Sequence, residues 1–71
     1  MMKIVFIGAG NLATNLGNAL HSAGNDILQV YSRTFESAST LATALGGAPV
    51  INIEDVTNDA DVYIISVKDS A

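Results

Sequence analysis

The stretch Lys3-Ile4-Val5-Phe6-Ile7-Gly8-Ala9-Gly10-Asn11-Leu12-Ala13 decides how the rest of this chain is read. Ile4–Ile7 is an unbroken apolar run that ends on a glycine. It does not alternate apolar with polar, so it suits a strand buried on both faces, and hence a parallel sheet. Gly8-Ala9-Gly10 then turns the chain. From Leu12 the apolar positions fall at 12, 13, 16, 19, 20 and 23, the spacing of one helix face. Asn11 is placed to cap that helix and Gly24 to stop it.

The same alternation continues downstream. Ile27–Tyr31 reads as a second strand. Thr34 is a candidate N-cap for a second helix, whose apolar positions are Phe35, Ala38, Leu41, Ala42 and Leu45, and Gly46-Gly47 ends it. Pro49-Val50-Ile51 reads as a short third strand, with the proline at its start. Ile53–Asn58 is a brief helical turn or loop. Asp61–Val67 holds a fourth strand around Val62-Tyr63-Ile64-Ile65. Strands alternating with helices imply right-handed crossovers. The predicted fold is α/β, a parallel Rossmann-type sheet comprising the first βαβαβ half plus strand four, in the order 3-2-1-4.

A doubly wound dinucleotide domain has two such halves. Residues 1–71 are therefore expected to be an incomplete N-terminal dinucleotide-binding domain, truncated from a longer protein. Its fourth strand would otherwise be an apolar edge open to aggregation, unless another chain covers it.

Composition narrows the function. With 71 residues the chain is one small domain at most. Hydrophobic residues make up 49% and charged residues 14%, which excludes a disordered tail. There is no cysteine and one histidine, so neither a disulfide framework nor a zinc constellation can form. The net charge is −4, and Lys3, Arg33 and Lys68 are the basic residues, too few to neutralise a run of phosphates; no nucleic-acid partner is expected. No apolar run approaches the roughly 20 residues that span a membrane. The Met1–Ile7 start imitates a signal peptide but breaks at Gly8, too early for an apolar h-region of about 7–15 residues. These features together point to the cytoplasm.

Gly8-Ala9-Gly10-Asn11-Leu12-Ala13 matches G-x-G-x-x-[GA], between an apolar strand and an amphipathic helix, the context that gives the pattern meaning. Gly8 permits a tight turn, Gly10 lets a diphosphate approach the main chain, and Ala13 keeps the helix close to the strand. The unpaired N–H groups of the first helical turn lie at the positive end of the helix dipole and attract a phosphate. The plainer reading is that both glycines only shape the turn. Gly17, inside the helix, reads as a close-packing position.

An NAD-type site carries an acid about 20 residues beyond the glycines, to hold the ribose 2′-hydroxyl. Here the second strand ends Val30-Tyr31-Ser32-Arg33-Thr34, without one. Arg33 would pair with the 2′-phosphate of NADP, and the Ser32 and Thr34 hydroxyls can donate to it. The plainer reading makes Arg33 a solvated charge and Thr34 only a cap. Flavin and S-adenosylmethionine sites commonly use an acid at this place and are disfavoured. Lys68 follows strand four at the carboxyl edge, and Ser66, Val67 and Lys68 could line the path to the nicotinamide; the plainer reading is an exposed lysine after a strand. His21 reads as a surface residue near a helix end, and Asp59 and Asp61 as turn residues. No acid has a placeable partner, so the catalytic residues stay unassigned and no metal is expected.

Lys3–Ala13, Tyr31–Thr34 and Ala60–Lys68 together resemble the N-terminal NADP-binding domain of the pyrroline-5-carboxylate reductase-like superfamily. That group is related to 6-phosphogluconate and 3-hydroxyisobutyrate dehydrogenases and includes uncharacterised bacterial proteins with a Rossmann-like domain followed by a helical one. The resemblance covers essentially the whole chain. It places 2′-phosphate contacts on Ser32, Arg33 and Thr34, glycine-turn contacts on Gly8, Gly10, Asn11, Leu12 and Ala13, and a further cofactor contact on Val67 and Lys68. Asp69 stands where the family often has proline, which points to the uncharacterised branch. The resemblance also implies a C-terminal domain that completes the substrate site and allows a homodimer.

The expected function is the NADPH-binding part of an oxidoreductase that passes hydride to a small imine or carbonyl substrate. The alternative is a nucleotide-sensing module without catalysis, because fold does not dictate function.

Overall fold

The computed structural model describes residues 1–65, Asn11 by its backbone alone. Among these, four strands, β1 (Lys3–Ile7), β2 (Asp26–Tyr31), β3 (Ala48–Val50) and β4 (Val62–Ile65), alternate with two helices, α1 (Asn11–Ser22) and α2 (Phe35–Leu45), and a single 3₁₀ turn covers Ile53–Asp55. The sheet is parallel throughout and ordered β3-β2-β1-β4, as the sequence pattern predicts.

β1 sits inside because both of its faces need burial. Ile4 and Phe6 are 1% and 0% exposed and pack with Ile27, Val30, Ala13, Leu41, Ala42 and Leu45, the core beneath the helices. Val5 points to the other face, yet it too is 0% exposed. Its cover is the segment that crosses the sheet from β3, on one edge, to β4, on the other. Gln29 and Tyr63 flank Val5 in register. The Gln29 Nε2 donates to the Asp55 carbonyl at 3.2 Å, and its Oε1 accepts from the Thr57 amide at 2.8 Å. The Tyr63 hydroxyl donates to the Thr57 carbonyl and accepts from the Ala60 amide at 3.4 Å. Two polar side chains thus tie the crossover down over an apolar one.

The β1–β2 register slips between Ile4 and Val5, leaving Leu28 as an extra residue. The slip sets Ile27 and Val30, three apart, on the same helix-covered face and turns Gln29 to the other. Asp61 clips β4 to β1: its Oδ2 accepts from the Lys3 amide at 2.9 Å, and its own amide donates to the Lys3 carbonyl at 2.8 Å.

Some boundaries differ from the sequence reading. The third strand is Ala48–Val50, so Pro49 lies within it and Ile51 beyond it. The proline is tolerated because β3 is an edge strand. Asn11 is not the cap of α1; Gly10 is, in an extended conformation, and Asn11 already belongs to the helix. Thr34 does cap α2, its side chain accepting from the Ser37 amide at 3.4 Å, and Gly46 closes that helix in the left-handed conformation. Gly17 is a packing position as read: a Cβ there would lie 2.6 Å from Leu45 Cδ1.

Gly47 passes against the backbone of β2, where a Cβ would lie 2.8 Å from the Ile27 carbonyl oxygen. Backbone cannot step aside as a side-chain tip can. Gly47→Ala should therefore destabilise the fold by about 1–3 kcal/mol, the usual cost of overpacking, read by thermal or urea unfolding.

Candidate functional site

The carboxyl ends of β1 and β2 are neighbours, so the turns that follow them share one rim of the sheet. Gly8 has φ +117°, a conformation side-chain-bearing residues rarely adopt, so the bend itself requires this glycine. Its amide donates to the Tyr31 carbonyl at 2.8 Å, tying the glycine turn to the end of β2. The next residue, Ser32, donates its amide to the Val50 carbonyl at 3.0 Å, which ties the Ser32–Thr34 corner to β3.

Gly10 is different. Its φ of −85° and ψ of −169° are open to any residue, and a Cβ built on it would meet nothing within 4 Å. Neither backbone strain nor packing among the described residues explains a glycine there. What the missing side chain leaves is open space against the main chain, at the start of α1. Shaping the turn accounts for Gly8 and not for Gly10.

The start of α1 is electrostatically unfinished. The first intrahelical bond runs from the Thr14 amide to the Gly10 carbonyl at 3.0 Å, so the amides before Thr14 precede any intrahelical acceptor. Its cap residue, Gly10, has no side chain to offer, and no acid lies in its first turn. By contrast α2 begins with the Thr34 cap and carries Glu36 in its first turn. The first helix is left able to accept an anion; the second has its own complement.

The predicted residues fall into place unevenly. Gly8, Gly10, Asn11, Leu12 and Ala13 form the β1–α1 turn and first helical turn; Ala13 is fully buried and Leu12 61% exposed. Ser32 is half-buried, while Arg33 and Thr34 are exposed on the adjoining corner. The Thr34 oxygen accepts from Ser37, which leaves its hydroxyl proton to donate outward. Val67 and Lys68 lie outside the described residues, as does Ser66. His21 sits in the last turn of α1, on the opposite rim from the glycine turn.

One residue escaped the sequence reading. The Thr14 hydroxyl donates to the Gly10 carbonyl at 3.1 Å, beside the backbone bond to the same oxygen, and so fixes the peptide that the turn presents. Its signal was a threonine four residues after the second glycine of the motif, where it bonds back to the carbonyl one turn earlier. Thr14 also lines, with Ala9 and with Ser37, Thr40, Leu41 and Ala44 of α2, a shallow cleft of about 270 Å³ beside the turn. Among the described residues no acid–base cluster or metal-ligating group of three accompanies these features.

A family model described as NADP oxidoreductase, coenzyme F420-dependent, matches residues 3–71. The chain belongs to this family. It is also similar to a crystal structure from Bacteroides fragilis, named provisionally as an NADP oxidoreductase, with 50% identity and a TM-score of 0.92. The match covers 96% of this chain and 26% of that one, so the chain spans about a quarter of that relative. No curated protein sequence matches it. The glycine turn and the β1–α1–β2 unit therefore belong to a Rossmann-type domain of an NADP oxidoreductase family. No helix among the described residues is long and apolar enough to cross a membrane.

Because no described residue would meet a Cβ on Gly10, Gly10→Ala should change stability by no more than about 1 kcal/mol, the gain from a less flexible unfolded chain set against alanine's poorer fit at an N-cap. Thermal unfolding without ligand checks this; a loss above that size would show that the fold itself needs the glycine.

Proposed function

We propose that residues 1–71 are the NADP(H)-binding portion of an oxidoreductase of the pyrroline-5-carboxylate reductase-like kind, in its uncharacterised bacterial branch. The observation that carries the proposal is Gly10: a glycine unexplained by strain or by packing among the described residues, open to solvent, at a helix start whose cap residue has no side chain. A diphosphate accounts for all three. Its oxygens take the free amides of the first turn of α1, and the absent Cβ is the room they occupy. Thr14 holds the Gly10 peptide, and Gly8 holds the bend.

Arg33 supplies the preference for NADP. Its guanidinium makes charge-assisted bonds to the 2′-phosphate, with the Ser32 and Thr34 hydroxyls as further donors, while the absence of an acid at this corner spares that phosphate a repulsion. When bound, NADPH supplies a hydride. This chain's residues orient it; Val67 and Lys68, beyond strand four, are proposed to continue the groove toward the nicotinamide. The substrate is a small imine or carbonyl compound, met by a further domain of the polypeptide that also forms a homodimer. Membership of an oxidoreductase family favours catalysis over nucleotide sensing.

Titration with NADPH and NADH tests the reading. NADPH should bind more tightly; equal affinities, or none, overturn it. Arg33→Ala should weaken NADPH about ten- to a hundredfold, from charge-assisted contacts worth about 1.5–3 kcal/mol, and leave NADH nearly unchanged. Gly10→Val should abolish binding of both while the protein stays folded. For the substrate class, NADPH oxidation is followed with imine and keto acceptors and with coenzyme F420. Turnover with F420 alone would replace the imine or carbonyl assignment.

A further inference from the structure

We propose that the ring of Phe35 is the platform on which the adenine of the bound nucleotide stacks, an inference that rests on the assignment of Arg33 to the 2′-phosphate. By spacing, Phe35 belongs to the apolar stripe of α2 with Ala38, Leu41, Ala42 and Leu45. Those four are 0–5% exposed, whereas Phe35 is 61% exposed. The core takes the stripe and leaves its first member out.

The location of that member carries the argument. Phe35 is the first residue of α2, directly after the Thr34 cap. Side chains of a helix lean toward its N-terminus, and α2 starts at the carboxyl rim of the sheet, so the ring leans toward the corner that Ser32–Thr34 forms. In an adenosine 2′-phosphate the base and the phosphate sit on adjacent ribose carbons. A phosphate held by Arg33 therefore brings the purine to the residues beside Arg33. The chain has four aromatic residues, two Phe and two Tyr. Phe6 is buried in the core, Tyr63 holds the crossover, and Tyr31, half-buried, ends β2 with its side chain alternating away from that of Val30. Phe35 is the aromatic face left at the rim. Stacking on it is indifferent to the base's hydrogen-bonding edge, which fits a corner where the neighbouring polar side chains serve the phosphate.

The test uses adenosine 2′,5′-bisphosphate, which carries the base and the 2′-phosphate but no nicotinamide. Phe35→Ala should weaken it about five- to a hundredfold. Phe35→Leu, apolar but without a π face, should not restore affinity. Phe35→Trp should. The chain has no tryptophan, so that variant carries a single indole, and the bisphosphate should quench its emission by stacking. Nicotinamide mononucleotide, which lacks adenine, should leave the emission unchanged. Unaltered affinity in Phe35→Ala, or an indole indifferent to the bisphosphate while the protein binds it, overturns the inference and leaves the role of Arg33 standing. A native protein that does not bind the bisphosphate overturns both.

Discussion

Three consecutive residues of β1, Ile4, Val5 and Phe6, lose water on both faces of the sheet, and the architecture is the answer to that demand. Ile4 and Phe6 find cover under α1 and α2. Val5 finds it beneath the crossover that Gln29 and Tyr63 hold in place. A strand with this need has to be interior, and an interior strand in a parallel sheet has a neighbour on each side. Here those neighbours are β2 and β4, so the strand order reverses direction at β1. The Gly8–Gly10 turn consequently opens where open α/β sheets bind ligands, at the carboxyl end of the strands beside the switch in strand order.

From that placement the chemistry follows with few side chains. The two helices begin on the same rim but are finished differently. Thr34 and Glu36 complete α2 from within the chain, while α1 is left with open amides and a bare Gly10. The proposed anion site is made of main chain anchored by β1 and the core-buried Ala13, and amides read charge, not identity. In the proposed function, selection among nucleotides falls to the neighbouring corner, which the Gly8–Tyr31 and Ser32–Val50 backbone bonds hold against the sheet.

The sequence reading reached the order of elements because each signal is local. The run Ile4–Ile7, the two helical stripes, the Thr34 cap and the Gly46 stop act within a turn or two of the chain. It placed Gly8, Gly10 and Ala13 for the same reason. It mistook Asn11 for the cap, because a side chain suited to capping does not reveal that the backbone has entered the helix one residue earlier. It set β3 one residue late, because an edge strand accepts a proline inside it where the N–H side faces away from the sheet, not only at its start. Thr14 carried a signal that was not used. The part played by Gln29 was invisible, because its partners lie 26 and 28 residues away.

Taken alone, the amino-acid sequence determined the α/β alternation, the parallel sheet and the glycine-turn motif, since periodicity and φ-permissive residues are properties of short stretches. Tertiary structure alone decided the slip that turns Gln29 away from Ile27 and Val30, and the burial of Val5 under a crossover without a regular helix. It also separated the two glycines of the motif. Gly8 is required by its own backbone angle, but whether Gly10 fills a tight place or an open one depends on what surrounds it in space, and sequence spacing carries no record of empty volume.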